Sequence, residues 1–196
     1  MKIYVIKIAV LGVSPMVWRR LRIAADTSLA ALHFIFQIVQ GWGDDYLHQF
    51  HIYGKDYGIS YDGGIGFPDN PFRIVIDNFS FDVGDRFTYE YNFFEHWLHD
   101  IRVEAIHEDS ALRTPFCMSG HGMPGATAVD EADKTLAFLE AIVNADDATT
   151  VGDIRAFIDD LDAVRFNRNK INKQLSKLEL ASPALEPEVI WLGHRR

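Results

Sequence analysis

With one cysteine, Cys117, in 196 residues, the chain cannot form an internal disulfide. That excludes the disulfide-stapled secreted scaffolds and makes a reducing compartment, the cytoplasm, the expectation. Long apolar runs are also missing. None approaches the ~20 residues a helix needs to cross a bilayer, so no membrane span is expected. Residues Met1 to Ile8 look like a leader at first, but Lys7 interrupts them and no small-residue cleavage site precedes Trp18-Arg19-Arg20; a first β-strand is the better reading. The chain lacks a phosphate loop of the glycine-lysine-serine/threonine kind, a dinucleotide fingerprint and a Gly-x-Ser-x-Gly elbow. Asp62-Gly63-Gly64-Ile65-Gly66 is glycine-rich, but its leading aspartate opposes phosphate, which leaves a hairpin tip.

Positive charge is scarce through the middle of the chain. The net charge is −9, yet residues 1–25 carry +5 and residues 163–196 carry +4, which leaves −18 between them. An acidic centre argues against a generic nucleic-acid coat. Two basic ends could still make one local patch, with Arg19, Arg20 and Arg22 beside Arg165, Arg168, Lys170, Lys173 and Lys177, or they could be neutralised across the fold.

What is present reads as α+β. Tyr4, Ile6, Ile8 and Val10 alternate, Gly12, Ser14 and Pro15 turn the chain, and Val17 to Ile23 alternates again, so the N-terminus forms a hairpin. Leu21 and Ile23 share a face with Arg19, while Trp18, Arg20 and Arg22 take the other. Asp26, Thr27 and Ser28 offer cap oxygens to a helix carrying Leu29, Leu32, Ile35, Phe36 and Val39, which stops at Gly41. Strands are expected over 47–53, 72–77, 86–91 and 99–106, and short turns between them favour antiparallel pairing. Residues 109–128 read as a loop, and 129–196 as a helical part of the same domain, with helices over 131–143, 151–161 and 167–178. The expected architecture is thus a mainly antiparallel sheet packed with one early helix and a C-terminal group of helices.

Three segments, in this order and spacing, resemble the Ri-plasmid open-reading-frame-three-like proteins of plasmids, mobile elements and prokaryotic chromosomes. They are Tyr4 to Arg20 with its Pro-x-x-Trp-Arg-Arg signature; Leu32-His33 followed by Gly41-Trp42, an acidic patch and Leu47-His48-Gln49-Phe50; and Tyr89 to Ile101 with its Trp-x-His. Tyr46, Asn92, Phe94 and Glu95 stand where that family usually carries His, Asp, Gly and Asp. The resemblance implies an α+β fold and association with mobile elements, and brings no activity with it.

The residues that could carry function are Trp18, Arg19, Arg20, Trp42, His48 and Trp97 as ligand or pocket residues. The tryptophans could line an aromatic pocket or fill the core, and the arginines could grip phosphate or carboxylate or form a solvated, salt-bridged strand. His48, His96 and His99, with Asp44, Asp45 and Glu95, have the residue types to hold a divalent cation; against that, histidines three apart on a strand face opposite ways. Cys117 with His121 has the types of a thiol and base but no oxyanion motif, so an ordinary loop thiol is expected. The leading expectation is a non-enzymatic binding or accessory module, without a cofactor, for an unknown protein or small molecule. A metal-dependent hydrolase and a nucleic-acid-binding accessory protein are the alternatives.

Overall fold

The alternation at the N-terminus does what it predicts: Lys2–Val10 (β1) pairs antiparallel with Trp18–Ala24 (β2). The computed structural model describes residues 1–124 and 165–178. The remaining strands are His48–Ile52 (β3), Lys55–Tyr57 (β4), Arg86–Tyr91 (β5), Trp97–Glu108 (β6) and Phe116–His121 (β7). All seven make one sheet in the order β4-β3-β5-β6-β1-β2-β7, antiparallel at every pairing.

One long helix, Leu29–Gln40 (α1), covers the sheet with Leu29, Leu32, Ile35, Phe36 and Val39 against Ile6, Ile8, Leu21 and Ile23. It starts where Ser28 Oγ accepts from the Ala31 N–H at 3.1 Å. It ends at Gly41, whose φ of 77° lies in the left-handed region that favours glycine and turns Trp42 back onto the Gln37 carbonyl. A second helix, Arg168–Leu175 (α2), buries Ile171 and Leu175. Asn172 anchors it by bonding both the N–H and the carbonyl of Cys117, at 2.8 and 2.9 Å. The expected helices over 131–143 and 151–161 lie outside the described residues.

Three segments depart from expectation. Residues 72–77 do not form a strand: the carbonyls of Ile74, Thr27 and Ala25 are used in a short exchange between the sequence-distant segments 25–29 and 74–77, and the chain then coils into a 3-10 turn at Ile76–Phe79. That exchange satisfies the backbone at the start of α1, so the segment has no ladder left to offer. The stretch 109–128 is not loop throughout, since β7 joins β2 as an edge strand. Its Gly120 marks a close approach, because a Cβ there would sit 2.7 Å from the Trp18 carbonyl oxygen and from the Phe166 ring. Finally, β4 follows β3 through a two-residue turn, Tyr53-Gly54, with both φ angles positive.

Candidate functional site

A helical turn separates His33 from Gln37, so both side chains leave α1 on one side and meet Tyr89 of β5. Gln37 Nε2 donates to the Tyr89 hydroxyl oxygen at 2.9 Å, which leaves the hydroxyl proton for His33 Nδ1, also at 2.9 Å. His33 Nε2–H donates in turn to Asp44 Oδ1 at 2.8 Å. The Asp44 backbone N–H returns to Gln37 Oε1 at 3.0 Å and closes the ring. Each polar atom in this circuit has a partner, and the circuit fixes His33 as the Nε2–H tautomer.

His48 of β3 lies on His33, the ring centroids 3.5 Å apart and the planes 14° from parallel. Its Nε2 accepts from the Ile59 N–H at 3.3 Å, while Nδ1 is buried with no protein partner. Burial holds both imidazoles neutral. It lowers the pKa of His33 against the pull of Asp44, and it lowers that of His48 well below the usual value, with His33 pushing the same way. Asp44 therefore faces an uncharged imidazole, and its carboxylate is not neutralised by its hydrogen bond.

Above this floor opens a cleft of about 370 Å³. One wall is Asp44, Asp45, Tyr46 and Leu47, the other Asn92, Phe93 and Phe94, and Tyr61 closes one side. The walls are joined where the Asn92 N–H donates to the Leu47 carbonyl at 3.0 Å and the Asp45 N–H to the Tyr91 hydroxyl at 3.0 Å. Asp44 and Asn92 both hold positive φ angles, 61° and 55°, which short polar side chains tolerate better than most. Tyr61 reaches Asp44 Oδ1 at 3.5 Å, and burial followed by the nearby Asp44 charge raises its pKa, so it remains a neutral donor. Phe94 is 93% exposed at the rim.

The residues singled out from sequence are scattered over this frame. Trp42 and Trp97 come together: Trp42 stacks on Tyr91 at 4.6 Å, lies 6.1 Å from Trp97 and meets His99 edge-on. Trp18 is on the opposite face with Arg20 and Arg22, and Lys7 and Arg20 lie over its ring. Arg20 pairs with Glu104, but Arg19 is not part of a solvated strand. Arg19 is 0% exposed and donates to the carbonyls of Val39, Trp18 and His121 at 2.7–2.9 Å. There it complements the negative C-terminal end of α1.

His48, His96 and His99 are not brought together. His96 is exposed and bonds Glu90 at 2.8 Å, whereas His99 is buried, kept neutral with a pKa lowered to about 4 by burial, and donates from Nδ1 to the Tyr89 carbonyl. Among the described residues, the group that does gather is His33, Asp44 and His48, with one ligand atom from each within 4.8 Å of the others. As held, it fits a cation poorly. Lone pairs lie in the imidazole planes, so two stacked, nearly parallel rings direct them side by side instead of at one point. Burial raises the Cys117 thiol to about 11, so it is no ready thiolate. The two basic ends are also divided. Leu21 and Ile23 face the helices, which puts Arg20 and Arg22 on the other side of the sheet from α2 and its exposed lysines.

His33, Gln37, Tyr89 and Tyr61 were not selected as site residues from sequence. Available signals were the polar pair His33 and Gln37, four apart on a mostly apolar helix, and a tyrosine alternating with Phe87 and Tyr91 on the buried face of β5.

Comparison with known proteins agrees with this frame. The family model described as plasmid pRiA4b ORF-3-like protein matches residues 2–173. An uncharacterised protein of Sinorhizobium fredii (strain NGR234), y4hQ, is 25% identical over 118 residues, 60% of this chain, and the match spans 61% of that relative's own length. The crystal structure of a protein of unknown function from Methanosarcina mazei Go1 superposes with a TM-score of 0.58 at 22% identity, covering 86% of this chain and 96% of that one, a likeness of fold.

Proposed function

The chain belongs to the plasmid pRiA4b ORF-3-like protein family, and from that premise we propose that it is a non-enzymatic binding module whose ligand site is the cleft between Asp44–Leu47 and Asn92–Phe94. The observation that carries this reading is the closed hydrogen-bond ring beneath the cleft. General acid–base work needs a group that can gain or release a proton in reach of a substrate. Here both nitrogens of His33 are engaged, both stacked imidazoles are held neutral by burial, and the Cys117 thiol is buried away from the cleft lining. A hydrogen-bonded ring that holds Asp44 in place under an open wall of aromatic and carboxylate groups suits recognition, where a site held in advance loses little entropy on binding. Its volume lies at the small end of the ~300–1,000 Å³ usual for ligand pockets.

The test is a fragment and short-peptide screen against the full ¹⁵N-labelled chain. Binders should shift amides at 44–47 and 92–94. Binders that perturb only other surfaces, or turnover of a substrate lost on His48→Phe substitution, would refute the reading.

A further inference from the structure

The geometry points to a guanidinium as what this cleft holds: we propose that it takes the side chain of an exposed arginine on a protein partner. This rests on the cleft being the ligand site and adds the chemistry of the ligand. Asp44 and Asp45 stand side by side on one wall, and among the described residues neither carboxylate is within ion-pair distance of a lysine or arginine. Asp44 Oδ1 is occupied by the neutral His33 and by Tyr61, contacts that orient the carboxylate without cancelling its charge. The cleft therefore presents two carboxylates, Asp44 half-buried and Asp45 exposed, beside which a cation is favoured and a phosphate repelled.

The other walls select among cations. Tyr46, Tyr61, Phe93 and Phe94 offer aromatic faces, and Phe94 is left almost wholly in water unless something covers it. A guanidinium is planar, weakly hydrated and able to stack on such a face while its N–H fork engages carboxylates; a lysine ammonium is a compact, strongly hydrated charge that does the second without the first. The net charge of −9 extends the same preference to long range, favouring encounter with a basic partner surface.

The experiment titrates the ¹⁵N-labelled full chain with N-acetyl-arginine methylamide, its uncharged isostere N-acetyl-citrulline methylamide, and the lysine analogue. The arginine compound should give saturable shifts at Asp45, Tyr46, Asn92 and Phe94, weakened by salt, and bind about tenfold more tightly than the citrulline compound, as expected for a hydrogen bond that gains a charge. Asp45→Asn should weaken the arginine compound at least about fivefold while leaving the urea midpoint unchanged, since the Asp45 carboxylate supports no described contact of the fold. Equal affinity for the citrulline compound in the same cleft would overturn the cation assignment and leave the cleft as a binding site. Equal affinity for the lysine compound would overturn the guanidinium. No shift in the cleft with the arginine compound would overturn the inference outright, whereas the fragment screen decides the cleft separately.

Discussion

Replacing Tyr89 with phenylalanine removes one oxygen from a side chain that is 0% exposed, and the closed ring makes the consequence calculable. Two partners are stranded at once: Gln37 Nε2–H loses its acceptor and His33 Nδ1 loses its donor. Leaving a buried polar group unpaired costs about 1–3 kcal/mol, and because the two orphans lie beside one another and can partly relax together, a total of about 3 kcal/mol is expected. In a chain of this length each kcal/mol lowers Tm by about 2–4 °C, so the variant should melt about 6–12 °C below the parent. Urea denaturation followed by tryptophan fluorescence measures the same loss as a lower midpoint at unchanged slope. Trp42 and Trp97, packed near Tyr91 and His99, place the reporter close to the lesion. The double variant Gln37→Met, Tyr89→Phe should lose less than the sum of the single variants, since the Gln37 donor can be orphaned only while it is present. A loss below about 1 kcal/mol for Tyr89→Phe, or strict additivity in the double variant, would show that the ring is not the cooperative unit described.

The buried histidines predict an acid-sensitive fold. His33, His48 and His99 have folded-state pKa values lowered by burial, to about 4 for His99, so the unfolded chain takes up their protons first and stability is lost as pH falls from about 6.5 toward about 4. The loss is at most about 1.4 kcal/mol per pH unit for each histidine. Urea midpoints across that window should fall steadily, and His48→Phe, which keeps the aromatic stack, should reduce the slope by one proton; a flat profile would reject the neutral, buried assignment. A separate test concerns Arg19. Its substitution by methionine should cost about 3 kcal/mol, because three carbonyls tying α1 to β2 and β7 lose a charge-assisted donor, and lysine should not restore it. Full stability of Arg19→Lys by thermal melting would mean that charge alone, and not the guanidinium fork, holds that junction.

Patterns with a period were readable in the sequence, and contacts across the fold were not. The alternation of β1 and β2, the cap-to-glycine span of α1 and the whole of β5 are local statements, and the structure places them within a residue or so of where the spacing does. Residues 72–77 have the composition of a strand, but their hydrogen bonds are taken by the start of α1, a partner far off in sequence order from any neighbour a strand pattern considers. Arg19 illustrates the same limit. On a strand, a lone arginine among apolar residues reads as solvated; it is buried because three carbonyls from β2, α1 and the end of β7 converge on it. For the site, His48 was visible and its stacking partner His33 was visible only as part of a family segment, since no spacing rule relates position 33 of a helix to position 48 of a strand two strands from the centre. The four departures from the family pattern were the more useful signal, because three of them, Tyr46, Asn92 and Phe94, line one cleft.

That convergence bears on how the cleft and the ring beneath it are divided. Asp44 is common to both: its backbone N–H and one carboxylate oxygen belong to the ring, and the same carboxylate lines the cleft. The lining also includes residues that contribute little to the core, such as Phe94 at the rim and Tyr46, which is half exposed. A change at Tyr89 or Gln37 must therefore alter stability and the setting of Asp44 together. A change at Tyr46 or Phe94 can alter what the cleft accepts while the ring stays closed. Variation at those two positions changes the aromatic wall without unseating the carboxylate, which is the condition under which one scaffold can keep its floor and change its ligand.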